Sequence, residues 1–163
     1  MAVEGVTIDG MVRTQRTMAQ LLDRTGDLTP LMERIGAYGE ESTVNRFETQ
    51  RGPDGETWTP SLRVRMNGGQ TLVDTARLRG SITWAAGPDH AEWGTNLIYA
   101  RTHQGGATIR AKSGGRLGFT IPGLGFRSPE EVVIPARTFL GIDAEDDDEI
   151  DAIVHDYLAE ALQ

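Results

Sequence analysis

Apolar residues recur along this chain in two rhythms. Near the C-terminus, Ile150, Ile153, Val154, Tyr157, Leu158, Ala161 and Leu162 fall at i, i+3, i+4, i+7, i+8, i+11 and i+12. That is one stripe of a 3.6-residue period and predicts an amphipathic helix over 143–163. Five consecutive acids, Glu145 to Glu149, stand at its start, where negative charge is favoured by the helix dipole. A similar stripe of Met11, Val12, Met18, Ala19 and Leu22 predicts a helix over 11–24. A further helix opens at Thr29-Pro30, with Thr as N-cap and Pro where the first N–H needs no partner. Leu31, Ile35, Tyr38, Val44 and Phe47 give it an apolar side, and it ends near Gln50. Gly36 and Gly39 each weaken it by about 1 kcal/mol relative to Ala, so they either admit a close neighbour or break it.

The middle of the chain follows the second rhythm. Ile82, Trp84 and Ala86 alternate with Thr83 and Ala85, the period of a strand. Gly87-Pro88-Asp89 turns the chain, and 90–94 returns as a second strand. Asp74 is positioned to cap a short helix through Leu78, stopped by Gly80, and Asn96 to cap another over 97–103, stopped by Gly105-Gly106. Val132 to Ile134 is a strand ended by Pro135. Gly52-Pro53-Asp54-Gly55 is a turn, since Pro sets φ and Gly accepts positive φ. Trp58 beside it reads as a core plug, and 61–70 as loop. Residues 107–128 are rich in glycine; alternating Leu117, Phe119 and Ile121 allow a strand or hairpin arm there. This order predicts an α+β fold. It has two N-terminal helices and a small, mainly antiparallel sheet with a short helix and a long glycine-rich loop or arm. A C-terminal amphipathic helix completes it. All 163 residues fit one domain.

Charge changes this picture more than composition does. The net charge of −8 resides in the C-terminal segment: nine acids and no Lys or Arg follow Asp143 inclusive, leaving fifteen acids against sixteen bases elsewhere. From Arg101 to Arg127 the sign reverses, with Arg101, Arg110, Lys112, Arg116 and Arg127 and no acid. Such separation along a chain suits head-to-tail contact between copies, although a solvated helix and a solvated loop explain it equally. The absence of cysteine excludes disulfides and thiolate metal sites. No apolar run approaches the length that spans a bilayer, and the first ten residues lack the pattern of a secretory signal. Synthesis in the cytoplasm, with no membrane partner, is the expectation.

Tests for chemistry return little. His90, His103 and His155 have no metal-binding spacing. Ser81, His103 and Asp74 make a nucleophilic triad only on paper, for no Gly-x-Ser-x-Gly elbow surrounds a serine. His103 reads as a polar side chain satisfying backbone carbonyls at a helix C-terminus rather than as a catalytic group. The acid run lacks the alternating ligands and central Gly of a calcium loop, and the glycines around 114–125 do not spell a phosphate-binding loop. No cofactor and no metal are expected. The basic loop can touch nucleic-acid phosphates, but no basic stripe elsewhere supports specific binding.

Four phrases carry a resemblance. They are Pro53-Asp54-Gly55 with Trp58-Thr59-Pro60; Leu72-Val73-Asp74-Thr75-Ala76-Arg77-Leu78-Arg79-Gly80-Ser81-Ile82; Gly94-Thr95-Asn96 with Tyr99-Ala100 and His103-Gln104-Gly105-Gly106; and Ile134-Pro135-Ala136-Arg137-Thr138-Phe139-Leu140-Gly141. In this order and spacing the chain resembles the phage virion-morphogenesis (tail-completion) family of Mu-like tailed phages, over about residues 10–162. It departs between Trp58 and Leu72, where members often carry a longer basic segment. The resemblance implies a non-enzymatic virion protein that completes the tail or joins it to the head, made in the host cytoplasm and incorporated at the tail–neck region. It implies a ring, hexameric like the tail tube beneath. Tail tube or tail terminator and head–tail connector proteins become partners, and genome DNA passes in passive contact. Asp74, Trp93, Asn96, His103, Pro135 and Arg137 become scaffold positions. The subunit interface is expected to pair Arg101, Arg110, Lys112, Arg116 and Arg127 of a flexible basic arm (107–128) with Asp146, Asp147, Asp148 and Glu149 of the acidic helix (143–163). A nucleic-acid adaptor using the basic loop, or a small hydrolase using His103, are the alternatives.

Overall fold

The computed structural model describes residue 19, residues 26–112 and residues 115–161. The helix expected over 11–24 lies outside the described residues apart from residue 19. The element on which the rest is built is helix α1, Thr29–Thr49, 21 residues long. Thr29 is its first residue rather than its cap: its N–H is taken by the Asp27 carboxylate at 2.8 Å. The helix is unbroken at its two interior glycines. Trp84 lies against Gly36, and Trp93 against Gly39, where a side chain would enter the ring. The close neighbour is therefore the hairpin β1 (Thr83–Ala86) and β2 (Ala91–Gly94), which pairs Trp84 with Trp93 across the strands.

Helix α1 runs through two cores. At its start Leu31, Met32 and Ile35 meet Ile150 and Val154 of the C-terminal helix Ala144–Ala161. At its end Phe47 packs edge-on against Trp58 and tilted against Phe139, with centroids 5.4 Å away in each case. Leu78, Ile82 and Ala100 close that second cluster. Trp58 is thus the core plug expected of it, and its indole N–H donates to the Thr138 carbonyl at 2.9 Å.

Several local expectations fail for identifiable reasons. Residues 61–70 are not loop throughout: Leu62–Asn67 is a short helix, α2, whose first turn is capped by the Ser61 hydroxyl accepting from the Val64 N–H. The segment after Asp74 is not helix. Ala76 is left-handed (φ 57°), which interrupts it, and only a 3-10 turn at Arg79–Ser81 follows. Asp74 caps nothing and sits 3.4 Å from Arg63 Nε. Asn96 is no cap either; the Thr95 hydroxyl accepts the Leu97 N–H, and helix α3 begins later, at Ala100–Gly105.

The glycine-rich stretch holds more strand than its composition suggests. Strand β3 (Ala107–Arg110) pairs antiparallel with β6 (Glu131–Ile134), and inside this ladder β4 (Phe119–Ile121) pairs with β5 (Gly125–Arg127). Each ladder has two strands. The arm's inner turn at Gly123 faces Met66 of α2. No described side chain of 107–134 is buried. The C-terminal helix is α4.

Candidate functional site

The four sequence phrases meet around the second core, stitched by side chains that replace missing secondary structure. Gln104 holds the chain after β6 with both ends of its amide. Its Nε2 donates to the Leu140 carbonyl at 2.7 Å, and its Oε1 accepts the N–H groups of Phe139 and Leu140, both at 3.0 Å. The Arg137 N–H donates to the His103 carbonyl at 2.7 Å, closing the end of α3. Gly106 has φ 71°, and a side chain on it would strike the backbone of Ile134 and Ala136. Ser81 shares a hydrogen bond of 2.7 Å with Thr95, which ties the turn before β1 to the loop after β2. The Pro53 ring fills the space beside Gly141.

His103 is set in this junction with no acid or nucleophile hydrogen-bonded to its ring among the described residues. Its Nδ1 is sealed from solvent with no hydrogen bond among the described residues, and its ring meets Tyr99 edge-on at 6.1 Å. Burial first, and the Arg137 cation second, push its pKa below the ordinary imidazole value, which favours the neutral ring. Ser81 donates to Leu78, and Asp74 lies on Arg63. The paper triad is not assembled.

Arg137 itself is buried. Its Nε donates to the Thr59 carbonyl at 2.8 Å, which clamps the Trp58-Thr59-Pro60 phrase to the strand exit. Desolvation lowers its pKa from the usual guanidinium value.

The acidic helix divides its charges. Asp146, expected at a subunit interface, is turned inward and removed from the surface. Its carboxylate accepts from Tyr38 at 3.0 Å, from Ser42, from Arg46 and from the Asp143 N–H at 2.9 Å. Arg46 is buried too, and also donates to the carbonyls of Phe139 at 3.1 Å and Gly141 at 2.9 Å and to Asp143 at 3.2 Å. Asp143 returns the favour as N-cap, accepting the Asp146 N–H at 2.9 Å. Burial and the neighbouring Asp146 charge push the Tyr38 phenol up, so it donates and does not ionise. This network floors a cleft of about 380 Å³ between α1 and the start of α4. Asp147, Asp148 and Glu149 remain exposed, as does Glu145.

The basic arm is less basic in space than along the chain. Arg110 pairs with Glu131 at 3.0 Å across the β3–β6 ladder, and Arg116 with Glu130 at 3.5 Å. Both acids lie just beyond the acid-free run, and the ladder brings them back to it. Lys112 and Arg127 stay exposed. Of the expected scaffold positions, Trp93 lies on α1, and His103 and Arg137 lie in the junction; Pro135 ends β6; Asp74 and Asn96 are exposed.

The singular residues of this junction join segments of the chain to one another, and the arm 107–134 buries none of its described side chains. Residues 10–159 match the phage virion morphogenesis family, and the chain belongs to that family. It is 29% identical to the Mu-like prophage FluMu G protein 2 of Haemophilus influenzae over 153 residues, covering 93% of this chain and 94% of that protein. No solved structure matches it. The chain is therefore a phage morphogenesis protein, associated with the virion, and no helix among the described residues is long and apolar enough to cross a membrane.

Proposed function

We propose that this chain completes the phage tail and joins it to the head, as a closed ring of six copies at the tail–neck boundary. Family membership sets the class. The observation that carries the rest is the arm 107–134. Two two-stranded ladders with open edges are marginal in isolation, and this arm buries no described side chain of its own. Phe126 and Val133 are 66% and 65% exposed, and Ile109, Phe119 and Leu124 are also exposed. Apolar surface of that kind calls for a covering neighbour. In a ring, one surface of each copy meets a different surface of the next, and the arm supplies one of the two. Tail tube or tail terminator lies on one side, head–tail connector proteins on the other, and the genome passes without specific contact. The protein is made in the host cytoplasm and acts without turnover.

Phage particles made without this chain test the reading. The expected result is full heads and finished tail tubes that remain apart, and that join when purified protein is added. Joined, infectious particles formed without it would contradict the proposal. The nucleic-acid adaptor reading gains no support, because Arg110 and Arg116 already have carboxylate partners.

A further inference from the structure

Two arginines are buried among the described residues, and they are treated differently. Arg46 meets two carboxylates and two carbonyls. Arg137 is 6% exposed, and among the described residues its side chain hydrogen-bonds the Thr59 carbonyl alone, through Nε. No carboxylate pairs with it among the described residues. Its two terminal nitrogens have no hydrogen-bond partner among the described residues, yet they are not sealed like Arg46 Nε or His103 Nδ1. Burial of a guanidinium without a counter-ion is costly, and the group cannot escape by losing its proton. The planar fork that binds carboxylates in pairs of hydrogen bonds is therefore held at the junction with its outer prongs unfilled. Tyr99, edge-on to His103, and its sequence neighbour Ile98, 95% exposed, add apolar surface from the loop that leads into α3.

The opposite deficit lies on α4. Glu145, Asp147, Asp148 and Glu149 are exposed and meet no cation among the described residues, and no Lys or Arg occurs from Asp143 onward. Within one chain the cation and these acids do not meet. We propose that Arg137 is a socket for a carboxylate on the exposed face of α4 of a second copy, the repeated contact of the ring. This rests on the ring reading and replaces the paired arm bases with Arg137 as the central cation. Nucleic acid fits the socket poorly: phosphate binding draws on several cations, the adjacent His103 favours its neutral form, and the chain carries a net −8.

The chain has no cysteine, so introduced ones report without ambiguity. Protein carrying Ala136→Cys is mixed with protein carrying Glu145→Cys, Asp147→Cys, Asp148→Cys or Glu149→Cys in turn and oxidised. Self-association is measured in parallel by sedimentation for wild type, Arg137→Gln, and the triple variant Asp147→Asn/Asp148→Asn/Glu149→Gln. The expected result is a covalent heterodimer from at least one mixture. Both charge variants should associate at least about tenfold more weakly, as removal of one partner of a buried charge pair does. Should Arg137→Gln fail to fold by circular dichroism, the triple variant decides, since its three positions are exposed. Association at wild-type strength in the charge variants, with no heterodimer, overturns the socket and leaves the ring standing. A wild-type protein that stays monomeric at every concentration overturns both. Binding of wild type to duplex DNA that Arg137→Gln abolishes reassigns the socket to phosphate.

Discussion

A single carboxylate decides how the end of this chain is anchored. Asp146 accepts four hydrogen bonds, and its partner Arg46 holds the carbonyls of Phe139 and Gly141. Breaking a buried pair from one side leaves the other charge stranded, which costs about 3–5 kcal/mol. Asp146→Ala should lower the urea-unfolding free energy by that amount, whereas Asp148→Ala, exposed two residues on, should change it by less than about 0.5 kcal/mol. Equal effects would mean that the network contributes nothing. His103 gives a pH dependence of stated sign. Its folded pKa lies below its unfolded value, so the unfolded chain takes up a proton first as pH falls. Stability should drop as pH falls through about 6.5, and His103→Asn should flatten that drop; an unchanged slope would remove His103 from the account. Neither residue's role is legible in the sequence. Asp146 reads as one acid among five, and its cation is 100 positions away. Arg137 reads as a motif letter until the fold buries it with no carboxylate beside it among the described residues.

At the level of elements, the sequence speaks where a period is long or an alternation clean. Helices α1 and α4 and the hairpin β1–β2 follow from their patterns, because each buries one face repeatedly. Helix α2 escapes detection because six residues hold under two turns. Strand β3 escapes because its partner lies beyond a glycine-rich excursion and neither face is buried. The interior glycines of α1 present a choice that only packing resolves. Gly39→Ala would gain about 1 kcal/mol in helix propensity, yet its methyl enters the Trp93 ring. Overpacking costs about 1–3 kcal/mol, so the substitution should lower the melting temperature and alter tryptophan fluorescence. A stabilised variant with unchanged emission would show that the hairpin yields freely.

For the whole molecule, charge counted along the chain exaggerates the dipole that the fold presents. The ladder brings Glu130 and Glu131 back to Arg116 and Arg110, while Asp146 retires into the core. What remains unmatched among the described residues is Glu145, Asp147, Asp148 and Glu149 on α4, the buried Arg137 guanidinium, and the apolar side chains of the arm. We propose that another copy completes each of them, and that is the central claim. A cryo-EM reconstruction of the particle neck tests it most directly. The account predicts a closed ring of six copies between tail tube and head, with each arm covered and each Arg137 facing a carboxylate of the adjacent subunit. This chain found elsewhere in the virion, or as isolated copies with bare arms, would contradict it.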